Sequence, residues 1–181
     1  MILLLGPSAS GKTEIAKIIC RDYGMKKVIT HTTRPIRPSE TKDVDYHFLS
    51  EDEFLHLEKE GAFVETTLFN GYHYGSSKAE ILDDRILIVD VPGFEAYKAL
   101  KNPRIITFYI DCPEEERVAH MKIRGDSEEA IASRLQNDIV AFPETTKDQA
   151  DYYVMNTGVK LEVLAERILS LYRRRLLILN R

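Results

Sequence analysis

A chain of 181 residues holds one domain with a sizeable core and is too short for two comfortable ones. Its 44% hydrophobic and 30% charged residues are the balance of a soluble globular protein. A net charge of −4 gives no reason to expect nucleic-acid or membrane binding, so any cationic site must be gathered locally.

The apolar run Ile2–Leu5 reads as a short buried strand. It is too short for a signal-peptide core or a spanning helix, which predicts a cytoplasmic protein. Directly behind it, Gly6-Pro7-Ser8-Ala9-Ser10-Gly11-Lys12-Thr13 fills every defined position of G-x-x-x-x-G-K-T, and Thr13–Tyr23 continues at helical spacing. Glycines let backbone N–H groups turn inward around a triphosphate, and the helix N-terminus adds partial positive charge there. In such a loop Lys12 reaches the β- and γ-phosphates, and the Thr13 hydroxyl is a ligand for Mg²⁺. With strand, loop and helix in the right order, a plain Gly/Ser turn is the weaker reading. The expected ligand is a nucleoside triphosphate.

Lys27–Thr30 is the next strand-like run. Residues 31–83 then form an irregular stretch. Val44–Phe48 reads as a strand, Ser50-Glu51-Asp52-Glu53 as a capping box opening a helix through Lys59, and Asn70-Gly71 as the turn between Ala62–Phe69 and Tyr72–Tyr74. This predicts a small, locally antiparallel insert. Strands at Arg85–Val89, Ile105–Ile110 and Tyr152–Met155 alternate with helices at Gly93–Leu100, Pro113–Arg124, Glu128–Phe142 and Leu161–Leu179. Pro113 suits a first helical position and Gly125 the residue past a helix end. The alternation predicts an α/β fold, a parallel sheet with helices on both faces. Cys20 and Cys112 lack disulfide or zinc spacing and read as free thiols in a reducing compartment, and the five histidines show no metal-ligand pattern. Arg173-Arg174-Arg175 reads as a basic helix end complementing its dipole.

Several short motifs fall in one order along the chain. They are Gly6–Thr13, Thr30-His31-Thr32-Thr33-Arg34-Pro35-Ile36-Arg37-Pro38, Asp45-Tyr46-His47-Phe48, Phe63-Val64-Glu65 and Tyr72-His73-Tyr74-Gly75-Ser76, then Arg124-Gly125, Ser127-Glu128-Glu129, Arg134-Leu135 and Asn156. In order and nearly in spacing this set resembles the guanylate kinases, over residues 1 to about 160. The resemblance implies a P-loop nucleoside monophosphate kinase fold: a core over 1–30, 84–118 and 150–181, an acceptor-binding insert over 31–83 and a helical lid over 119–149. It implies transfer of the ATP γ-phosphoryl group to GMP or dGMP with Mg²⁺ as cofactor, by a monomer or homodimer. Arg34, Arg37, Tyr46 and Tyr74 match residues holding the acceptor phosphate, a use suited to arginine forks. Glu65 matches the guanine reader, since a carboxylate accepts from N1–H and the exocyclic amine whereas adenine has no such donor pair. Thr30 and Ser76 match hydroxyls at the base edge. Arg124 and Arg134 match lid residues that neutralise the transferring group. Asn156 aligns with a residue near the adenine, although an Asn-Thr-Gly turn needs no function.

One stretch departs from the family pattern. Where Asp-x-Asp-x-Gln-Gly is usual, Ile88-Val89-Asp90-Val91-Pro92-Gly93 stands, leaving Asp90 alone to hold water on Mg²⁺ or to touch the acceptor. His120 or Lys122 stands where the lid usually carries a further arginine. A related kinase with another nucleotide or ribose bisphosphate as acceptor, or a non-catalytic phosphopeptide-binding module, is the alternative reading.

Overall fold

The computed structural model describes residues 1–180. In chain order the elements are β1 (Ile2–Leu5), α1 (Lys12–Tyr23), β2 (Lys26–Lys27), β3 (Thr30–Thr32), β4 (Tyr46–Phe48), α2 (Glu51–Lys59), β5 (Phe63–Phe69) and β6 (Tyr72–Ser77). They continue with β7 (Arg85–Ile88), α3 (Val91–Ala99), β8 (Ile106–Asp111), α4 (Glu114–Arg124), α5 (Glu128–Ala141), α6 (Glu144–Lys147), β9 (Tyr152–Met155) and α7 (Leu161–Leu179).

Five strands make a parallel sheet in the order β2-β7-β1-β8-β9. The two-residue period of a strand sends Ile2 and Leu4 to one face and Met1, Leu3 and Leu5 to the other. The first face packs on α1 and α7 through Ile15, Ile19, Ile168 and Tyr172, and the second on α3 through Phe94 and Tyr97. Both faces are covered, which is why β1 is apolar without interruption. That burial anchors the loop following β1, because all four residues of β1 are fully inaccessible.

A second sheet of four strands has the order β4-β3-β6-β5. Here the structure corrects two expectations. Lys27–Thr30 is not one strand: Lys26–Lys27 pairs with β7 in the core sheet, and Thr30–Thr32 belongs to the second sheet, so the chain changes sheets between Lys27 and Thr30. The insert is also mixed rather than antiparallel, since β3 runs parallel to β4 while β6 is antiparallel to both β3 and β5. The connection over 33–45 carries the chain back before β4 begins, and a parallel pair requires such a crossover. The turn between β5 and β6 is the one expected, with Asn70 at φ 51° and Gly71 at φ 79°. The capping box is present too: Ser50 N donates to Glu53 Oε2 at 2.7 Å, and Glu53 N to Ser50 Oγ at 3.2 Å. Phe54 of α2 stacks on Phe63 of β5 at 4.6 Å between ring centroids and is fully buried, giving the second sheet a small core of its own.

Boundary shifts have local causes. Pro113 lies one residue outside α4 with ψ 140°, which is extended, rather than in its first turn. Helix α3 begins at Val91, earlier than expected, because Asp90 caps it by accepting from Gly93 N at 2.9 Å and Pro92 falls in the first turn, where no backbone donor is needed. Among the described residues no helix is long and apolar enough to cross a membrane. Cys20 and Cys112 are free.

Candidate active site

The loop between β1 and α1 is fixed by close approaches. A Cβ on Gly6 would lie 2.1 Å from the Ile110 carbonyl oxygen, with φ at +137°, so only glycine lets the chain leave β1 beside β8. A Cβ on Gly11 would meet Asn156 Nδ2 at 2.6 Å, also with positive φ. Gly11 precedes α1 without a side-chain cap, so the first-turn N–H groups stay available to an anion. Lys12 Nζ folds back onto the loop and donates to the Gly6 and Pro7 carbonyls, both at 2.6 Å. Burial lowers the Lys12 pKa to about 8, partly offset by the Asp138 carboxylate. Its ammonium therefore loses its proton at a lower pH than a free lysine does.

Lys12 lines two clefts. One, of about 430 Å³, runs past Gly11, Thr13, Arg124 and Asn156. The other, of about 440 Å³, is bounded by Gly6, Thr30, Glu65, Ile88 and Asp90. A single ammonium thus stands where a donor phosphate and an acceptor would meet. Thr13 is exposed at the mouth of the first cleft. Asn156 is buried and donates from Nδ2 to the Ser10 carbonyl at 2.9 Å, bracing the loop from β9.

In the second cleft Glu65 projects from β5. A register shift between Phe63 and Glu65 places it opposite Ser76, whose Oγ donates to Glu65 Oε1 at 3.1 Å. Such a bulge re-aims one side chain without breaking the strand, and it lets Val64 pack against the core while Glu65 faces the cleft. Burial raises the Glu65 carboxyl above its ordinary pKa; the Ser76 hydrogen bond opposes this and Asp90 adds to it.

Arg34, Tyr46 and Tyr74 form a separate group on the same sheet. The Arg34 guanidinium lies 5.5 Å from the Tyr46 ring centroid, and the Tyr46 and Tyr74 rings are 6.2 Å apart. Glu40 takes both Arg34 nitrogens, at 3.0 and 2.7 Å, which holds its carboxyl below the ordinary range. Arg37 is nearby but exposed, and its backbone N–H reaches the same Glu40. Arg124 and Arg134, from α4 and α5, converge instead on Asp126: Arg124 donates to it directly and Arg134 Nε lies at 3.6 Å. Three of the four arginines assigned from sequence to phosphate therefore have a carboxylate at the guanidinium, while Arg37 meets Glu40 only through its backbone.

Three residues escaped the sequence reading. Glu40 is one. Asp138 and Arg117 are the others, both buried, joined by an N–O contact of 2.7 Å and both in contact with Ser8 of the loop. Only helical spacing hinted at Asp138, which lies one turn beyond Arg134.

The glycine loop ahead of α1, the parallel order of the core sheet and a lysine shared by two clefts define a P-loop phosphotransferase. Comparison with known proteins narrows this. The family model "Guanylate kinase" matches residues 1–166. A guanylate kinase of Nitrosococcus oceani is 31% identical over 94% of this chain and 91% of its own. One from Legionella pneumophila is 30% identical over 86% and 78% of the two chains. A crystal structure of guanylate kinase from Anaplasma phagocytophilum superposes with a TM-score of 0.62 at 22% identity, covering 96% of this chain and 85% of that one, which is a likeness of fold. The chain belongs to the guanylate kinase family, and its activity is that of an ATP-dependent nucleoside monophosphate kinase.

Proposed function

We propose that the chain moves the γ-phosphoryl group of ATP to GMP, or to dGMP, with ATP in the cleft of Thr13 and Arg124 and the nucleoside monophosphate in the cleft of Glu65. The observation that carries this is Lys12, which lines both clefts with Glu65 bounding the second. The core over 1–30, 84–118 and 150–181 supplies Gly6–Thr13 and Asn156; residues 31–83 supply the acceptor contacts; residues 119–149 act as the lid.

The acceptor needs no general base. A phosphate monoester with a second pKa of about 6 is already mostly dianionic at neutral pH. What remains is alignment and charge. Arg34, Arg37, Tyr46 and Tyr74 hold the acceptor phosphate, Glu65 and the hydroxyls of Thr30 and Ser76 take the base edge, and the amides before α1 cradle the donor. Arg124 and Arg134 spread the charge that develops on the transferring group. These cations already have partners in the free protein: loop carbonyls for Lys12, Glu40 for Arg34, Asp126 for the lid pair. For these groups, binding phosphate exchanges one oxygen partner for another, at the cost of releasing Glu40 and Asp126 to water. Lid closure would keep water from the γ-phosphate.

Mg²⁺ fits the donor set. Thr13 and Asp90 offer hard oxygens beside the loop, and among the described residues no cluster of three or more His, Cys, Asp or Glu could cage a metal. Mg²⁺ takes hard oxygen ligands and usually keeps several waters, with substrate phosphates supplying the rest, so few protein oxygens are needed. When bound, the ion would supply charge neutralisation to the substrate phosphates. We place the enzyme in the cytoplasm as a monomer or homodimer, with ATP and GMP as its partners and neither nucleic acid nor membrane.

The test is ATP consumption with Mg²⁺ against GMP, dGMP, AMP, UMP, CMP and ribose bisphosphate. GMP or dGMP is expected to react fastest. Equal rates with AMP and GMP would overturn the guanine assignment. ATP binding without transfer to any acceptor would leave a phosphate-recognition module.

A further inference from the structure

Asp138 is a buried carboxylate that the phosphate-holding scheme above does not use, and its hydrogen-bond partners are Ser8 of the loop and Arg117 of α4. Its two oxygens accept from Ser8 N at 3.1 and 3.0 Å, and Oδ1 also accepts from Ser8 Oγ at 2.9 Å. Arg117 Nη1 donates to Asp138 Oδ2 at 2.7 Å and reaches the Ser8 carbonyl at 3.4 Å. The amide, hydroxyl and carbonyl of Ser8 are thus all held by the α4–α5 pair. His120, one turn beyond Arg117, holds the next residue, with Nδ1 at 3.1 Å from the Ala9 carbonyl oxygen. Ala9 needs such holding, because its φ of 58° is a left-handed value that alanine rarely adopts.

The placement along each helix links this grip to the lid arginines. Asp138 lies four residues after Arg134 on α5, and Arg117 two turns before Arg124 on α4, so each sits on the same face as an arginine that serves the transferring group. Net stability is a poor reason for a buried pair here, since an apolar pair of similar shape is often as stable or more so. The charges are spent on the loop.

We propose that Asp138, together with Arg117, is a positioning residue for phosphoryl transfer: it locks the lid helices to Ser8 of the phosphate loop and so sets where Arg124 and Arg134 meet the transferring phosphoryl group. Asp138 borders the second cleft, but its hydrogen bonds are made to Ser8 and Arg117, so its proposed part is to position rather than to bind. This rests on the kinase reading above.

The test uses the whole chain with Mg²⁺, ATP and GMP, following GDP formation, ATP hydrolysis without acceptor and thermal unfolding. The double variant R117M/D138L removes both charges while keeping bulk. It is expected to stay folded, to lose about 100-fold in kcat with a much smaller change in KM for GMP, and to hydrolyse more ATP per GDP formed, as misplaced groups and a loose lid require. D138N keeps the shape, but its one acceptor oxygen can serve Ser8 or Arg117 and not both, and its NH2 then faces the donor left over; it should lose kcat to a lesser degree. R117K should restore part of what R117M loses. Wild-type kcat and coupling in R117M/D138L would overturn the proposal, whatever its melting temperature. Should the double variant fail to fold, wild-type kcat and coupling in D138N would overturn it equally. A wild-type protein that makes no GDP from GMP would instead overturn the kinase reading.

Discussion

Glu65 and Ser76 stand opposite one another across β5 and β6, joined by a 3.1 Å hydrogen bond from Ser76 Oγ to Glu65 Oε1. That contact uses one lone pair of one oxygen, so Oε2 and the remaining positions on Oε1 stay available to a ligand in the cleft. Serine thereby orients the carboxylate without occupying it.

The first prediction concerns this carboxylate. Glu65→Gln is expected to lower kcat/KM for GMP by about 100-fold, the scale of losing charge-assisted hydrogen bonds to two donors, while KM for ATP changes little. Burial raises the Glu65 carboxyl, so it begins to protonate at a higher pH than a free glutamate. A protonated carboxyl cannot accept both guanine bonds, and GMP affinity should fall as pH is lowered into that range. For stability the sign is the reverse: the buried neutral form favours folding at low pH, and this advantage fades as pH rises through the raised pKa. Calorimetric titration with GMP between acid and neutral pH, on both proteins, checks the binding claim.

The second concerns Lys12. With a pKa of about 8 in the free protein, Lys12 loses its proton on the alkaline side of neutrality, and a bound triphosphate should draw the pKa back up. ATP binding near pH 9 is therefore expected to take up protons, and ATP affinity to weaken as pH rises above about 8. Titration in buffers of different ionisation enthalpy measures the uptake directly. Lys12→Met should abolish both the uptake and transfer.

Arg124 and Arg134 share Asp126 in the absence of nucleotide. If they act on the transferring group, Arg134→Ala should lower kcat by about 1,000-fold, the lower end of what such arginines supply, with GMP affinity nearly unchanged. Asp126→Asn removes the competing anion and should tighten ATP binding, more so at low salt, because these partners are partly exposed. Salt-dependent binding curves for both variants decide the matter.

Phe54 fills the small core of the second sheet. Phe54→Ala should cost about 3–5 kcal/mol where that sheet is concerned. The parallel sheet has separate clusters on its own two faces, which exclude Phe54. GMP affinity is therefore expected to fall further than ATP affinity, and hydrogen exchange should quicken in β3, β5 and β6 before β1 and β8.

Local chemistry made much of the molecule legible in advance. The glycine loop, the capping box at Ser50, the Asn70-Gly71 turn and α7 over Leu161–Leu179 all appear where residue type and spacing put them. Each is decided by a few neighbouring residues. The pairing partner of β3 was not readable, because parallel pairing with β4 depends on the path of the intervening loop rather than on either strand's pattern. The partners of the arginines were equally hidden: Glu40 beside Arg34 lies in a stretch that reads as a plain polar loop.

The sequence by itself therefore determined the phosphate loop, with Lys12 and Thr13 in their places, because a glycine-rich turn between an apolar strand and a helix is a local construction. It also determined the family, through the order of its motifs. Only the tertiary structure decided that Lys12 would border two clefts, that a bulge would turn Glu65 into the second, and that Asp138 would reach back across 130 residues of chain to hold Ser8. Those relations depend on which elements pack together, and Asp138, on a helix of mixed apolar and polar residues, carries no mark in sequence of the arginine and the loop that it meets.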